Sequence, residues 1–168
     1  MTEAIANTTV ISNLAALGRM DLLHLVLGTV HISTEVYAEI QDGLAEGSDF
    51  YAGIGRLIHP LTADGWLRLT SLQGDAELRL FSELPAALHR GEASCLAIAA
   101  QRGWAFLTDD ARARKAARGL GVVISGTLGL LVQAVKDGLL ALDEANDLLA
   151  QMIRAGYHSP YSELTELL

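Results

Sequence analysis

The sequence predicts an α/β fold with a central parallel sheet, on three observations. Between residues 92 and 137, short apolar runs alternate with helical segments of about ten residues, the pattern of βαβ units. The run WAFL at 104–107 stops abruptly at Asp109 and Asp110. Carboxylates at the C-terminal end of a strand, with a helix following, stand where open α/β sheets place their ligand sites. A chain of 168 residues, 51% of them hydrophobic, has ample material for one core.

The elements follow in order. Residues 4–7 read as a short buried strand, and Ser12 as the cap of a helix over 13–17 that Gly18 stops. A second helix over 21–27 ends at Gly28, a strand follows at 30–32, and Ser33 caps a helix through about residue 44. From 47 to 60 apolar residues keep helical spacing but glycines interrupt it, so only a marginal helix is expected. Residues 66–69 form a strand suited to the periphery of the sheet, and a helix over 75–84 ends at Pro85; residues 47–85 read as an insertion or peripheral helices within a single domain spanning 1–168. The better-defined half is helix 92–102, strand 104–107, helix 111–120, strand 122–124 and helix 127–137. An amphipathic helix over 143–155 ends at Gly156, and a short terminal helix is expected over 159–168.

Composition narrows the function classes. The longest apolar stretches, such as 126–135, are too short to cross a bilayer, and no basic segment precedes an apolar one at the N-terminus, so a cytoplasmic protein is expected. Cys95 is the sole cysteine and sits on the apolar side of a helix, which points to a buried, inert thiol. Five scattered histidines lack the spacing of helical zinc sites. The net charge of -8 argues against a broad electropositive face for duplex binding. Arg112, Arg114, Lys115 and Arg118 nevertheless put four of the twelve basic side chains on one short helix. They read equally as a solvated face offsetting Asp109 and Asp110 or as phosphate contacts.

The acidic residues carry the chemistry. Glu92 opens an apolar helix, where the backbone dipole favours a carboxylate, and Asp109 and Asp110 close a strand. Phosphodiester hydrolysis needs a hard cation that neutralises developing charge and lowers the pKa of an attacking water, and Mg²⁺ or Mn²⁺ takes oxygen ligands of this kind. Crowded carboxylates should then combine metal affinity with raised pKa values. Each residue also has a plainer reading. Asp109 could cap the helix at Ala111, Glu92 could be a favourable helix-start charge, Glu39 could sit on a solvated helix face, and Thr127 reads as the cap of its helix, although such an N-terminus also suits phosphate.

Taken as a set and in order, ANTTVISNLAALGRMDLL, VHISTEVYAEI, HRGEASCLAIAAQRGW, LTDDARARKAA, ISGTLGLL and MIRAGYHSPYSELTELL resemble the PIN domain family over nearly the whole chain. The resemblance implies a PIN-like three-layer α/β/α sandwich with a central, mainly parallel sheet. It also implies a divalent-metal-dependent ribonuclease, in many members the toxin of a toxin–antitoxin pair, so that the expected partners are RNA, an antitoxin protein and a second copy in a homodimer. The family's acidic positions fall on Asn7, Glu39, Glu92 and the Asp109–Asp110 pair, with Thr108 aligning the functional carboxylate with Asp110. On this reading Asp110 and Glu92 hold Mg²⁺ or Mn²⁺ directly and Glu39 and Asp109 hold water or a second ion.

Asn7 departs from the pattern, since active relatives usually carry Asp there. An amide still offers a carbonyl oxygen to a cation but removes a full charge and cannot act as a base. The resemblance therefore leaves open a slower or differently metallated nuclease and a catalytically impaired module that binds nucleic acid or protein. Apolar helix surface at 126–135 and 146–153 agrees with a dimer interface and equally with core packing.

Overall fold

The computed structural model describes residues 3–168. Six short strands, β1 (Ala4–Ala6), β2 (Val30–Ser33), β3 (Ile58–His59), β4 (Leu67–Thr70), β5 (Ala105–Leu107) and β6 (Ile124–Ser125), form one sheet in the order β3-β4-β2-β1-β5-β6, with every neighbouring pair parallel. Around it run α1 (Thr8–Ala16), α2 (Asp21–Leu27), α3 (Thr34–Ala45), α4 (Gly74–Glu83), α5 (Arg90–Arg102), α6 (Ala111–Gly119), α7 (Thr127–Lys136) and α8 (Leu142–Arg154). Helices α1, α2, α7 and α8 pack on one another, α4, α5 and α6 do likewise, and α3 adjoins both α1 and α5. Covered on both faces, β1 buries all three of its residues, as central parallel strands must.

Helix α5 is the central buried helix. Every residue from Gly91 to Ala99 is buried, and the small side chains of Ala93, Ser94, Ala97 and Ala99 let it press close to the sheet and to α3, α4 and α6. Cys95 is fully buried within hydrogen-bond range of the Ala6 carbonyl, and burial pushes its thiol up to about 12, so it stays a protonated, inert thiol at neutral pH.

Several boundaries differ from the sequence expectation. Helix α1 begins at Thr8, not beyond Ser12, because the Asn7 side chain already accepts the Thr9 amide as its cap. The weak segment after α3 forms two 3₁₀ turns, Asp49–Tyr51 and Ile54–Leu57, and the unexpected β3, which flanks β4 so that β4 is second from the edge. Strand β6 is displaced to Ile124–Ser125, and the C-terminus makes a 3₁₀ turn at Thr165–Leu167 rather than a helix. Leu149, on the face considered for a dimer, is fully buried in this chain's own core. Among the described residues no single helix is long and apolar enough to cross a membrane.

Candidate metal and nucleic-acid site

The strand order reverses direction at β1: the chain moves from β1 to β2 on one side and returns to β5 on the other. Ligand crevices of parallel sheets open at such a switch point, beyond the strand C-termini. Asn7 leaves β1 there and Thr108 leaves β5, and the Asn7 amide donates to the Thr108 hydroxyl at 2.7 Å. The Asn7 carbonyl accepts from the Thr9 hydroxyl at 2.7 Å and the Thr9 amide at 3.2 Å. Both ends of this fully buried amide are therefore engaged in joining β1, α1 and β5.

Of the two adjacent aspartates, the cap of the following helix is not Asp109, as its plainer reading had it. Asp110 is the cap of α6, one carboxylate oxygen accepting from the Ala113 amide at 2.8 Å. Asp109 instead reaches the start of α7: it accepts from the Thr127 amide at 2.8 Å, from the Thr127 hydroxyl, and from the Asn13 amide side chain at 2.8 Å. Thr127 is the first residue of α7, not its cap, and this buried hydroxyl and its amide meet a carboxylate rather than a phosphate. Gly126 makes this approach possible, since a Cβ there would lie 2.4 Å from the Asp109 carboxylate and 3.0 Å from the Thr108 carbonyl.

Glu92 and Glu39 come from the other side of β1. Glu92 accepts from the His89 backbone N–H at 3.0 Å, closing the first turn of α5. It is 7% exposed, and burial, reinforced by the charges of Asp110 and Glu39, raises its pKa against the opposing effect of the His89 N–H. Glu39, on α3, is held by the Gly91 amide at 3.1 Å and by the Thr8 hydroxyl. A groove of about 480 Å³ opens beside Glu39, lined also by Glu35, Asp42, His89 and Arg90. A cavity of about 390 Å³ lined by Trp66, Phe50 and Arg56 lies where β4 begins, remote from these carboxylates.

The structure thus places Asp110 and Glu39 each within electrostatic reach of Glu92 and turns Asn7 and Asp109 toward bonds within the protein. Among the described residues no three His, Cys, Asp or Glu side chains form a ready-made cage for a metal. One oxygen each of Glu92 and Asp110 has no hydrogen-bond partner among the described residues. That donor set fits Mg²⁺, which keeps several waters and needs only one or two carboxylates, better than Ca²⁺, which takes six to eight oxygens.

Of the basic cluster, Arg112, Lys115 and Arg118 are exposed at intervals of three along α6 and share a face. Arg114 is not free in the same way: it donates to the Thr108 carbonyl at 2.8 Å and the Ser125 carbonyl at 3.3 Å, tying β5 to β6. Sequence reasoning missed Thr8, Thr9 and Asn13, which fix the carboxylates. Their signal was the dense run of short polar side chains directly after the first strand, ANTT and then SN, where a buried chain end must satisfy its polar groups locally.

A search of curated proteins finds no match to the chain. A family model described as PIN domain matches residues 3–168, and the all-parallel sheet flanked by helices is the architecture expected of it. This chain belongs to the PIN domain family, a fold of nuclease type.

Proposed function

We propose that this protein is a divalent-metal-dependent ribonuclease acting at the edge where Asp110, Glu92 and Glu39 meet. One observation carries the reading: Asp110 and Glu39, from two further elements, each lie within electrostatic reach of Glu92 at the switch point of a parallel sheet, and burial together with those two charges raises the Glu92 pKa. Mg²⁺ or Mn²⁺, when bound, would neutralise charge on the scissile phosphate and acidify an attacking water. Asp110 and Glu92 would hold the ion through their unpartnered oxygens. Glu39, anchored by Thr8 and Gly91, would position water beside it. Asp109 and Asn7 would act at one remove, by fixing the strand ends that carry Thr108 and Asp110. Arg112 and Lys115 would meet RNA phosphates, with Arg114 and Thr127 supporting the backbone beneath them.

The test is calorimetric titration of the pure protein with Mn²⁺ and Mg²⁺, alongside Asp110→Ala, with cleavage of single-stranded RNA followed in the same buffers. The expected result is that binding and cleavage both disappear in the variant. No metal binding and no cleavage by the wild-type protein at millimolar metal would sink the enzyme reading.

A second reading has its own support. The Asn7 amide lacks the family's usual charge and is fully engaged, and among the described residues no three carboxylates form a cage, which favours a catalytically impaired module that binds nucleic acid or protein. A homodimer and an antitoxin partner belong to the same proposal. Leu139 and Ile153, which are exposed, are better placed than Leu149 to meet another chain. A small reading frame adjoining the gene would speak for the antitoxin.

A further inference from the structure

On the β6 side of Asp109, across β5 from Glu39 and Glu92, the segment after α8 folds back and borders an open cleft of about 340 Å³, at which His158 and Pro160 are exposed. Tyr157, His158 and Pro160 form one wall, and Ser125, Gly126 and Leu128 the other. The wall is braced. The Tyr157 amide bonds the Met152 carbonyl at 2.9 Å, the Ser159 hydroxyl bonds both the carbonyl and the amide of Tyr161, and the buried Leu164 is tied by its amide to the Asn146 side chain at 2.8 Å.

The lining selects the chemistry of the occupant. The Tyr157 hydroxyl, the His158 ring and the Ser125 hydroxyl have no hydrogen-bond partner among the described residues, although Tyr157 is half-buried. Burial and the neighbouring Asp109 charge, against an opposing contribution from Arg114, push Tyr157 up to about 12, so at neutral pH its hydroxyl is a donor. The charges at the rim are already committed: Asp109 to Asn13 and Thr127, and one guanidinium nitrogen of Arg114 to the Thr108 and Ser125 carbonyls. A phosphate would face the Asp109 carboxylate here, with only the remaining nitrogens of Arg114 to meet it. A flat, neutral heterocycle with donors and acceptors on its edge finds aromatic planes and unpaired polar groups, in a volume at the lower end of the roughly 300–1,000 Å³ of ligand pockets.

We infer that this cleft is a nucleobase subsite, receiving an unstacked base of single-stranded RNA adjacent to the nucleotide at the carboxylates, with Tyr157 and His158 as its recognition side chains. Proteins that read single strands take splayed bases in this way, on aromatic faces with polar groups at the edge. The inference rests on the ribonuclease reading and adds to it a fixed contact one step along the strand.

The experiment uses fluorescein-labelled octaadenylate and octauridylate, intact and with one abasic nucleotide placed at each position in turn, with Ca²⁺ present to keep the strand whole. Dissociation constants are read by anisotropy for the wild-type protein and for Tyr157→Ala, Tyr157→Phe and His158→Ala, each first checked for folding by circular dichroism. In the wild type, one abasic position should weaken binding roughly 5- to 150-fold, the range for a stacked base. That penalty should vanish in Tyr157→Ala and largely persist in Tyr157→Phe, which keeps the ring and the packing. If Tyr157→Ala does not fold, loss of the penalty in His158→Ala decides the matter. A penalty that survives in every folded variant, or no position with a penalty in a wild type that binds the intact octamers, overturns the subsite and leaves the nuclease reading standing. A wild type that binds neither octamer overturns the nuclease reading and the subsite together.

Discussion

Replacing Asn7 by Asp would return a charge to a position whose partners can accept it. Thr108 now accepts from both the Asn7 amide and the Asp110 backbone N–H, so its hydroxyl is free to turn and donate to a carboxylate, while Thr9 continues to supply the cap. The added charge would lie fully buried. Asn7→Asp should therefore lower the stability of the metal-free protein by about 1–3 kcal/mol and raise Mn²⁺ affinity at least tenfold. Thermal denaturation with and without Mn²⁺ measures both, and cleavage that rises with affinity identifies the native amide as what restrains activity. Glu92 and Glu77 should shape the pH dependence in opposite senses. Arg102, at 2.6 Å, holds the Glu77 carboxyl below the ordinary range, so its stabilisation is complete above the unfolded pKa and is lost as pH falls through the depressed folded value. Glu77→Gln should cost about 3 kcal/mol at pH 7, at the low end for breaking a buried pair because Arg102 retains Thr70 and the Ser71 carbonyl. Glu92 is raised, so the metal-free protein loses stability as pH climbs from the unfolded value through the folded one. Glu92→Gln should remove that loss in urea titrations while abolishing metal-linked stabilisation.

At the scale of elements, the start of α5 couples the fold to the site. Gly91 donates its amide to Glu39, and a Cβ at this position would lie 2.3 Å from one Glu39 oxygen. The obstructed group is the end of a flexible side chain, so Gly91→Ala should leave the melting temperature within a few degrees, alanine being about 1 kcal/mol better than glycine in a helix. It should still displace Glu39 and lower cleavage by tenfold or more. An unchanged rate would remove Glu39 from the working set. The same helix explains why element boundaries were only partly legible. Sequence periodicity placed α5, α6, α7 and α8 within about two residues, because their apolar faces are long enough to register. It missed the start of α1, where Asn7 caps from inside what looked like the strand, and β3, whose two residues hold no periodicity. Its plainer reading of Asp109 as the cap of α6 fell on the wrong aspartate, since either can cap a following helix and only the position of α7 decides which one is drawn away.

For the whole molecule, the net charge of -8 means that on the proposed ribonuclease reading RNA would be met locally, at the metal and along α6. Three exposed cations on one face predict a modest salt dependence. Replacing Arg112, Lys115 and Arg118 together by Gln should flatten the slope of log affinity against log salt by about 2, at roughly 0.7 per phosphate contact for a single strand. Anisotropy over a series of KCl concentrations at fixed divalent metal measures it, and an unaltered slope would exclude α6 as the RNA-facing helix. Arg114 is omitted from this set because it is bound to two carbonyls of the sheet.

The sequence by itself determined the alternating architecture, the parallel sheet and the family, and it singled out Glu39, Glu92 and Asp110 as candidate carboxylates. These depend on local periodicity, on capping chemistry and on motifs whose order along the chain is readable without distances. Tertiary structure alone decided that the Asn7 amide and Asp109 are spent on internal bonds, that Leu149 is core, and that Tyr157 and His158 border a cleft beside residues almost fifty positions earlier in the chain. The reason is physical. Whether a polar side chain is available to a ligand depends on which partners surround it, and at the end of a parallel strand those partners arrive from elements distant in sequence.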